Sequence, residues 1–500
     1  MDRLYDLIAQ LNNMVWSMPI LFFFVGTAVY ISVKLNWLQF SNFSYIYKNT
    51  LGRLLEKNSD TDGDISPFAA LTTAMSSTLG VGTITGTATA IAIGGPGAVL
   101  WMMLAGLVIM AIKFSEITLA VHYRIKNSQG QWVGGPFSYI QIAYKDYPVV
   151  AKILGTIFSV GVILAALTLG NLIQGQSIAA SISTAWPVIP VPVIGVVTAV
   201  IVALVIVGGI QRIASVAEKT VPTMALITIA MCLVAIIMNA SQIPTALSSI
   251  LTGALSGRAG VGGITGTVVA NMIRIGITRG ILSNEGGCGT APIAHASAKV
   301  SHPVKQGFWG VMEVFIDTHV VCLLIALVIL TASQADGTLV WQALDANGNI
   351  LNGTPLIMEA MRASLPMGDV IAHPLMALVI SSFAITTIFG VSYYGMRGVE
   401  ALFGTKAIPV YKLLFIPIVI VSSMVRVSLA FNIANIVLLI MVLPNLLAII
   451  KQAKVLVALK ENYFAGNKYV SYYDVTQGGE DVIANEVESM NKKVGELKKA

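Results

Sequence analysis

Charged residues are scarce in this chain. Only 30 Lys and Arg and 24 Asp and Glu occur among 500 residues, whereas hydrophobic residues make up 56% and the mean hydropathy is +0.80. Soluble globular proteins carry about 25% charged residues, so the composition excludes an ordinary soluble domain and indicates an integral membrane protein. No basic soluble face is present, which excludes nucleic acid as a partner.

The sequence also lacks the residue patterns that disulfide frameworks, metal sites and several enzyme classes require. The three cysteines, Cys232, Cys288 and Cys322, are odd in number and lie in or beside apolar segments, so no disulfide framework is predicted. Five scattered histidines give no metal-ligand spacing. Neither a G-x-x-x-x-G-K-[ST] phosphate loop nor an H-E-x-x-H motif occurs, which argues against an ATP-driven pump and a metalloprotease. The sequence predicts no enzyme and no cofactor.

Apolar windows of roughly 17 to 25 residues indicate membrane-spanning helices. They predict an all-α integral membrane protein with about eleven spans, near residues 17–33, 66–94, 96–121, 150–180, 189–209, 217–238, 260–283, 306–332, 371–391, 408–425 and 427–450.

The distribution of Lys and Arg predicts the orientation. These residues concentrate in alternate loops and beyond residue 450, while the other loops hold only Arg3, Arg258, Arg362 and Arg426. Because cytoplasmic loops carry the excess of Lys and Arg, the N-terminus is predicted outside and the C-terminus in the cytoplasm.

The remaining segments are short. Residues 1–16 show helical apolar spacing and are predicted to form an interfacial amphipathic helix, residues 17–450 the transmembrane domain, and residues 451–500 a polar cytoplasmic tail. The external connection 333–370 contains turn-rich residues that could form a small hairpin.

The most informative stretch is residues 66–97, SPFAALTTAMSSTLGVGTITGTATAIAIGGPG. Gly80, Gly82 and Gly86 interrupt its centre among six threonines between Thr72 and Thr87. Within a membrane, broken backbone is tolerated where it lines a cavity or is buried in protein, and transporters use the half-helix ends to bind substrate and ions. The alternative is that small residues only allow close helix packing.

A second glycine-rich stretch resembles the first. GVGGITGT at 260–267 matches GVGTITGT at 80–87 in seven of eight positions, at an offset of 180 residues. Coincidence in a Gly/Thr-rich chain is the alternative, but the spacing of five spans favours two inverted five-helix repeats after one extra helix. The first repeat is predicted at about 66–238 and the second at about 260–450.

Ionisable residues inside spans are costly and therefore of interest. Lys113 and Glu116 are three residues apart and are expected to neutralise each other. Glu313 and Asp317 share another helix face, with Arg274 and Arg279 as expected partners. Gating or structural ion pairs are favoured over a proton relay, although Asp317 keeps a proton-coupled mechanism open.

Three runs carry a resemblance to the sodium:alanine (alanine or glycine:cation) symporter family of prokaryotes. They are PFAALTTAMSSTLGVGTITGTATAIAIGGPGAVLWM, TRGILSNEGGCGTAPIAHASAKVSHPVKQGFWGVMEVFIDT and FAITTIFGVSYYGMRGVEALFG. The resemblance covers about residues 15–450. It implies a leucine-transporter-like fold and a symporter, monomeric in principle, of the cytoplasmic membrane. The expected transport is of sodium with small neutral amino acids such as alanine, glycine or glutamine.

The resemblance also assigns residues. It implies substrate binding at the break and at Gln174, where free N–H groups would hold a carboxylate and the Gln174 oxygen would accept from an ammonium. Sodium is expected at the hydroxyls of Thr386 and Thr387. The residues expected at the substrate are Thr78, Gly80, Val81, Gly82, Thr83, Gln174 and Val391.

Three positions depart from the family, which usually has Asn at Thr83, Trp at Val391 and Glu at Met396. The smaller Val391 predicts a larger pocket, unless Phe137 or Phe389 fills the space. Gly80 and Gly82 are both expected to tolerate no side chain. An ion channel and a non-transporting membrane receptor or scaffold remain alternative functions.

Overall fold

A computed structural model describes residues 17–54, 62–256, 265–333, 337–344, 348–365, 368–425 and 427–477. In these residues the structure is helical apart from one two-stranded hairpin, β1 (Ile125–Lys126) and β2 (Trp132–Val133). The first half contains α1 Met18–Lys34, α2 Leu38–Ser41, α3 Phe43–Asn49, α4 Pro67–Thr78, α5 Val81–Gly94, α6 Ala98–His122, α7 Pro136–Ala143, α8 Pro148–Leu167, α9 Ile173–Ala185, α10 Val191–Ile206, α11 Gly209–Met238 and α12 Ile243–Ser256.

The second half is also helical. It contains α13 Thr265–Asn284, α14 Ala291–His295, α15 Pro303–Val314, α16 Leu323–Thr331, α17 Thr354–Ser364, α18 His373–Phe403, α19 Ile408–Ser422, α20 Val427–Lys451, α21 Ala453–Phe464 and α22 Tyr472–Gln477. Single-turn 3₁₀ helices occur at Leu51–Arg53, Ala240–Gln242, Val340–Gln342 and Thr405–Ala407. Segments with π-helical hydrogen bonding occur at Thr168–Leu172, Phe315–Cys322 and Gly368–Ala372.

The helices follow the predicted spans. Helical structure occupies the described part of each of the eleven apolar segments. In the described residues six helices are long and apolar enough to cross a membrane, or seven if the bent pair Ile436–Lys451 and Ala453–Phe464 counts as one. The chain is therefore a multi-pass membrane protein, while the count of eleven stays a prediction.

Small residues let the central helices approach closely. Gly307 and Gly310 of α15 face α6, where an added Cβ would meet side chains of Phe114 and Ile117. Gly276 of α13 packs in the same way against the first turn of α6, at the Ala98 carbonyl. Such close approach is how membrane helices gain van der Waals contact without a hydrophobic driving force. These contacts fix α6 at the centre of the bundle.

The outer helices have apolar exposed faces. Large apolar side chains on α8, α10 and α19 are well exposed, for example Val149 at 72%, Leu204 at 60% and Leu413 at 72%. Polar residues such as Thr72, Thr87 and Ser283 are buried instead. This distribution of apolar side chains outside and hydroxyls inside is expected for a bundle surrounded by lipid.

Several predicted segments differ in detail or lie outside the described residues. The amphipathic helix at 1–16 and most of GVGGITGT lie outside them. The predicted tail is not uniformly polar at its start, because α21 buries Leu456 and Leu459 against the bundle. The external connection forms isolated antiparallel bridges, Ser333 with Leu339 and Leu344 with Ile350.

Candidate functional site

The first break separates α4 from α5 at Leu79 and Gly80. Ser66 caps the start of α4 by accepting from the Ala69 N–H at 2.9 Å, and the helix ends at Thr78. Helix α5 begins at Val81, and its N-cap Gly80 has no side chain to accept a bond. The first N–H groups of a helix have no partner within it, so the backbone N–H groups of Val81, Gly82 and Thr83 can bind a carboxylate.

Thr387 of α18 lies against the end of α4. Its hydroxyl oxygen is 2.6 Å from the Ser76 carbonyl oxygen and 2.9 Å from that of Phe383, and its side chain is buried. A hydroxyl has one proton and can donate to only one of these two carbonyls, which leaves the other carbonyl oxygen close to the hydroxyl oxygen without a proton between them. A cation bound among the three oxygens would attract all of them. Thr386 donates to the Phe383 carbonyl at 2.9 Å within its own helix. The two threonines predicted to bind sodium therefore have different surroundings.

Gln174 of α9 faces the same break. Its Oε1 would lie 3.6 Å from a Cβ added at Gly80, is buried, and has no hydrogen-bond partner among the described residues. Its amide nitrogen donates to the Leu169 carbonyl at 3.3 Å. Because an unpartnered buried amide oxygen is costly, this group is ready to accept from a bound ammonium.

The two glycines of the break differ, which corrects one prediction. A Cβ on Gly80 would collide with the Thr387 hydroxyl. A Cβ on Gly82 would lie 3.7 Å from the Leu282 carbonyl oxygen, an ordinary contact. Gly82 sits in the first turn of α5, where an added Cβ meets no close protein atom. We therefore revise the expectation that Gly82 tolerates no side chain and predict that it tolerates alanine.

Thr78 and Thr83 connect the break to the segment around Asp317. The Thr83 hydroxyl lies 2.6 Å from the Thr78 carbonyl oxygen and also makes a short hydrogen bond with Asp317 Oδ1. The Thr78 hydroxyl is 3.5 Å from Glu313 Oε1. Both carboxyl groups are buried, so the two acidic residues predicted to share a face lie directly beside the first break.

The ion pairs predicted from spacing have different partners. Lys113 Nζ lies 3.2 Å from Glu313 Oε1 and donates to the Asn284 carbonyl at 2.7 Å, at the end of α13. The direct ion-pair contact of Lys113 is therefore with Glu313 and not, as expected, with Glu116, because the long lysine side chain reaches across to α15. Arg274, expected beside Glu313 and Asp317, donates to Asn271 at 2.8 Å. Arg279 lies on the same helix as Arg274.

Glu116 supports a second break, between α13 and α14, which the sequence reasoning missed. Its Oε1 accepts from the Gly289 N–H at 3.0 Å and from Asn445 Nδ2. The break contains Glu285, Gly287 and Gly289, all with positive φ. Such values favour glycine and are uncommon for Glu. The glycines of the run NEGGCG are the signal that could have located this break.

Glu285 joins the two breaks. Its Oε2 accepts from the Thr290 hydroxyl at 2.5 Å and lies 3.3 Å from the Ser77 hydroxyl in the last turn of α4. Ser77 is in turn 3.5 Å from the Tyr394 hydroxyl of α18. The centre of the bundle therefore contains two interrupted helices linked by one buried carboxyl group.

Val391, which also lies on α18, packs against Gly170. A Cβ added to Gly170, in the π-helical segment after α8, would collide with the Val391 side chain. Phe137 makes an edge-to-face contact with Phe158, with the two ring centroids 5.2 Å apart, and Phe389 is buried. The Val391 side chain is closely packed on the side that faces Gly170. The larger substrate pocket expected from the small Val391 side chain stays a prediction.

Two interrupted helices around a buried polar centre, in a chain whose described residues include at least six helices long enough to cross a membrane, are typical of multi-pass membrane transporters. The sequence matches the sodium:alanine symporter family over residues 1–474, and the chain belongs to that family. The resemblance read from the three sequence runs is thereby confirmed.

Three proteins of similar sequence are named as transporters or symporters. The chain is 34% identical to the sodium/alanine symporter AgcS of Methanococcus maripaludis, over 91% of this chain and 96% of that protein. It is 34% identical to the uncharacterized transporter YflA of Bacillus subtilis, over 94% and 95% of the two chains. It is 30% identical to the probable sodium/glutamine symporter GlnT of that organism, over 93% and 92%.

The fold also resembles a solved structure. The crystal structure of MhsT in complex with L-phenylalanine superposes with a TM-score of 0.52 at 12% sequence identity, covering 80% of this chain and all of that one. This likeness concerns the fold alone. The inverted repeat proposed for residues 66–238 and 260–450 stays a prediction.

Proposed function

We propose that the protein couples sodium entry to the uptake of small neutral amino acids by alternating access. The observation that supports this most directly is the convergence at Gly80 of three kinds of group: the first N–H groups of α5, the Thr387 hydroxyl, and the Gln174 oxygen, which has no hydrogen-bond partner in the described part of the chain. These groups complement a carboxylate, an ammonium and a cation respectively.

The substrates we propose are alanine and glycine, with glutamine as a further candidate. The names of AgcS and GlnT, a sodium/alanine and a probable sodium/glutamine symporter, support this range. We further propose that the protein works as a monomer in the cytoplasmic membrane, with its N-terminus outside and its C-terminus inside, from the distribution of Lys and Arg.

Uptake by purified protein in liposomes tests this proposal. A panel of labelled neutral amino acids is supplied with an inward sodium gradient, with equal sodium and with potassium only. We expect saturable accumulation of alanine or glycine above equilibrium only in the condition with an inward sodium gradient. Sodium current without amino-acid dependence would indicate a channel, and no flux of either solute would indicate a scaffold or receptor.

Replacing Gln174 by Leu is expected to weaken amino-acid binding. The change removes the amide oxygen that faces Gly80, and a hydrogen bond to a charged group contributes about 1.5 to 3 kcal/mol. The KM for the amino acid should therefore rise about 10- to 150-fold. Gln141→Leu, the same change on an exposed face of α7, serves as the control and should leave KM unaltered. Equal KM values for both variants would remove Gln174 from the site.

Arg124 closes one end of the bundle, the end that the charge distribution predicts to be cytoplasmic. Its guanidinium donates to the carbonyls of Ala296 at 3.1 Å, Ala298 at 2.6 Å and Asp62 at 2.9 Å. Ile65 also bridges to Ala298, which joins the segment before α4 to the segment after α14. Both interrupted helices are thereby fixed to each other at this end.

The Arg124→Gln variant is expected to open this end more often. Loss of charged hydrogen bonds worth about 1.5 kcal/mol or more each should favour the inward-open state. A cysteine introduced at Ser76 in a cysteine-free background should then react faster with a thiol reagent applied from the cytoplasmic side, by about tenfold or more. Lys299→Gln is the control for a lost charge nearby. Unaltered reactivity in Arg124→Gln would show that these bonds do not hold the gate.

A further inference from the structure

A cavity of about 490 Å³ opens on the surface of the bundle, and none of its lining residues belongs to either break. Its walls are α7, the first turns of α8 and the end of α18. Helices α8 and α18 pack closely at Gly398, where an added Cβ would lie 3.0 Å from the Ser159 carbonyl oxygen. Nearer the end of α18, Gly155 and Ala401 line the cavity instead. This flank cavity is therefore the space in which the ends of two central helices separate.

Two lysines line the flank cavity. Lys145 lies in the connection between α7 and α8, and Lys152 lies in the second turn of α8. Both side chains are exposed, and neither has an ion-pair partner among the described residues. Asp146 follows Lys145 in the chain, but no Asp or Glu is among the described residues that line the cavity. The hydroxyl of Thr156, one helical turn after Lys152, adds a further donor. The lining therefore favours an anionic ligand.

The rest of the flank cavity is apolar. Phe137, Ala151 and Leu402 are among the residues that line it. The neighbouring surface of α8 is apolar as well, because the side chains of Val149 and Ile153 are well exposed there. In a bundle surrounded by lipid, such side chains contact hydrocarbon chains. A soluble anion would cover only the lysines, whereas a ligand that carries both an anionic group and hydrocarbon chains matches the whole surface.

The residues around Lys145 place the flank cavity at the depth of the lipid head groups. Lys451, the last residue of α20, has its Nζ 4.5 Å from the ring centroid of Tyr144 and 4.9 Å from that of Tyr147. Tyrosines at helix ends are enriched at the boundary between membrane and water. The distribution of Lys and Arg predicts that this end of the bundle is cytoplasmic, and basic pockets on that side of membrane proteins bind anionic lipid head groups.

We propose that the flank cavity binds the head group of an anionic phospholipid. The phosphate group contacts Lys145 and Lys152, the head group fills the space between the ends of α8 and α18, and the hydrocarbon chains follow the exposed apolar face of α8. The site lies outside the proposed amino-acid and sodium sites, so this inference does not depend on the substrate that the protein transports.

Lipid titration of the purified full chain tests the site. The protein in a neutral detergent is titrated with phosphatidylglycerol or with phosphatidylcholine of the same acyl chains, and bound lipid is counted by native mass spectrometry. Each lysine near an anionic lipid contributes about fivefold in affinity. We therefore expect the first phosphatidylglycerol to bind about 25-fold more tightly than the first phosphatidylcholine. Equal affinity for the two lipids would overturn the proposal.

A double lysine variant locates the preference for the anionic lipid. In Lys145→Gln/Lys152→Gln, affinity for phosphatidylglycerol should fall to within about twofold of that for phosphatidylcholine, because the two positive charges of the cavity are lost. Lys48→Gln/Lys219→Gln removes two exposed lysines that are predicted on the same side of the membrane but do not line the cavity. This control should keep the wild-type preference. A preference unaltered in Lys145→Gln/Lys152→Gln would place the lipid elsewhere and contradict the proposal.

Filling the cavity tests its shape separately from its charge. A Cβ added at Gly155 would lie 3.9 Å from Gln141 Cγ, an ordinary contact, so the Gly155→Leu side chain extends into the cavity while both lysines remain. Affinity for phosphatidylglycerol should fall at least fivefold in this variant, and an unaltered affinity would show that the lipid does not enter the cavity. Inorganic phosphate in large molar excess should not displace the lipid from wild type. Displacement by inorganic phosphate would assign the site to a free anion and overturn the phospholipid proposal.

Discussion

Replacing Gly80 by Ala is expected to abolish amino-acid uptake, while Gly82→Ala should retain it. The new Cβ at Gly80 would occupy the position of the Thr387 hydroxyl and approach the Gln174 oxygen, which are the groups proposed to bind sodium and the ammonium. A collision of this kind in a packed interior displaces the backbone. At Gly82 the added methyl group meets only ordinary van der Waals contacts.

The pair is compared by initial uptake rate at equal amounts of folded protein, measured by gel filtration of the detergent-solubilised variants. We expect Gly80→Ala to fall at least 100-fold and Gly82→Ala to stay within about fivefold of wild type, since each 1.4 kcal/mol in binding is tenfold. Comparable rates for both variants would show that the substrate does not approach the backbone at Gly80.

The Thr387→Val variant is expected to need more sodium for half-maximal uptake. Valine keeps the shape of the side chain but removes the oxygen that lies between the Ser76 and Phe383 carbonyls. Loss of one buried polar partner is worth about 1 to 3 kcal/mol, so the half-saturating sodium concentration should rise about 5- to 150-fold.

Two further variants make this result specific. Thr387→Ser keeps the hydroxyl and should restore most of the sodium affinity. Thr198→Val removes another buried hydroxyl, which donates to the Ile194 carbonyl in α10 away from the break, and should leave sodium dependence unaltered. A sodium dependence in Thr387→Val equal to that of wild type would exclude Thr387 as a ligand.

Local sequence patterns were sufficient to predict the first break. Gly80 lies within a long apolar segment, and it is the N-cap at which α5 begins after α4 has ended at Thr78. The second break was not predicted, because GVGGITGT carries the clearer glycine pattern, whereas the positive φ values occur at Gly287 and Gly289. Glycine content alone does not say where a positive φ is required, because that depends on how neighbouring helices approach.

Partners across the bundle were the least predictable part of the site. Spacing within one helix paired Lys113 with Glu116, but spacing carries no information about α15, where Glu313 lies. Residue spacing within a helix also gives no indication of the π-helical segments at Thr168–Leu172 and Phe315–Cys322. They rotate the following residues relative to a regular helix, which changes the side chains that face the centre.

Thr387 and Gln174 were found through family resemblance rather than periodicity. Both lie on continuous helical segments whose sequences alone do not distinguish them from other buried polar residues. Their positions relative to Gly80 became visible only with the fold. The family supplies the residue types, and the three-dimensional packing supplies the reason that those residues act together.

Reciprocal coupling tests the central claim most directly. Coupled binding and transport require that an amino-acid gradient move sodium just as a sodium gradient moves the amino acid. In liposomes with equal sodium on both sides and the membrane potential clamped at zero, an inward alanine or glycine gradient should drive labelled sodium into the lumen above its equilibrium level. Amino-acid entry with no net sodium movement would contradict sodium-coupled symport.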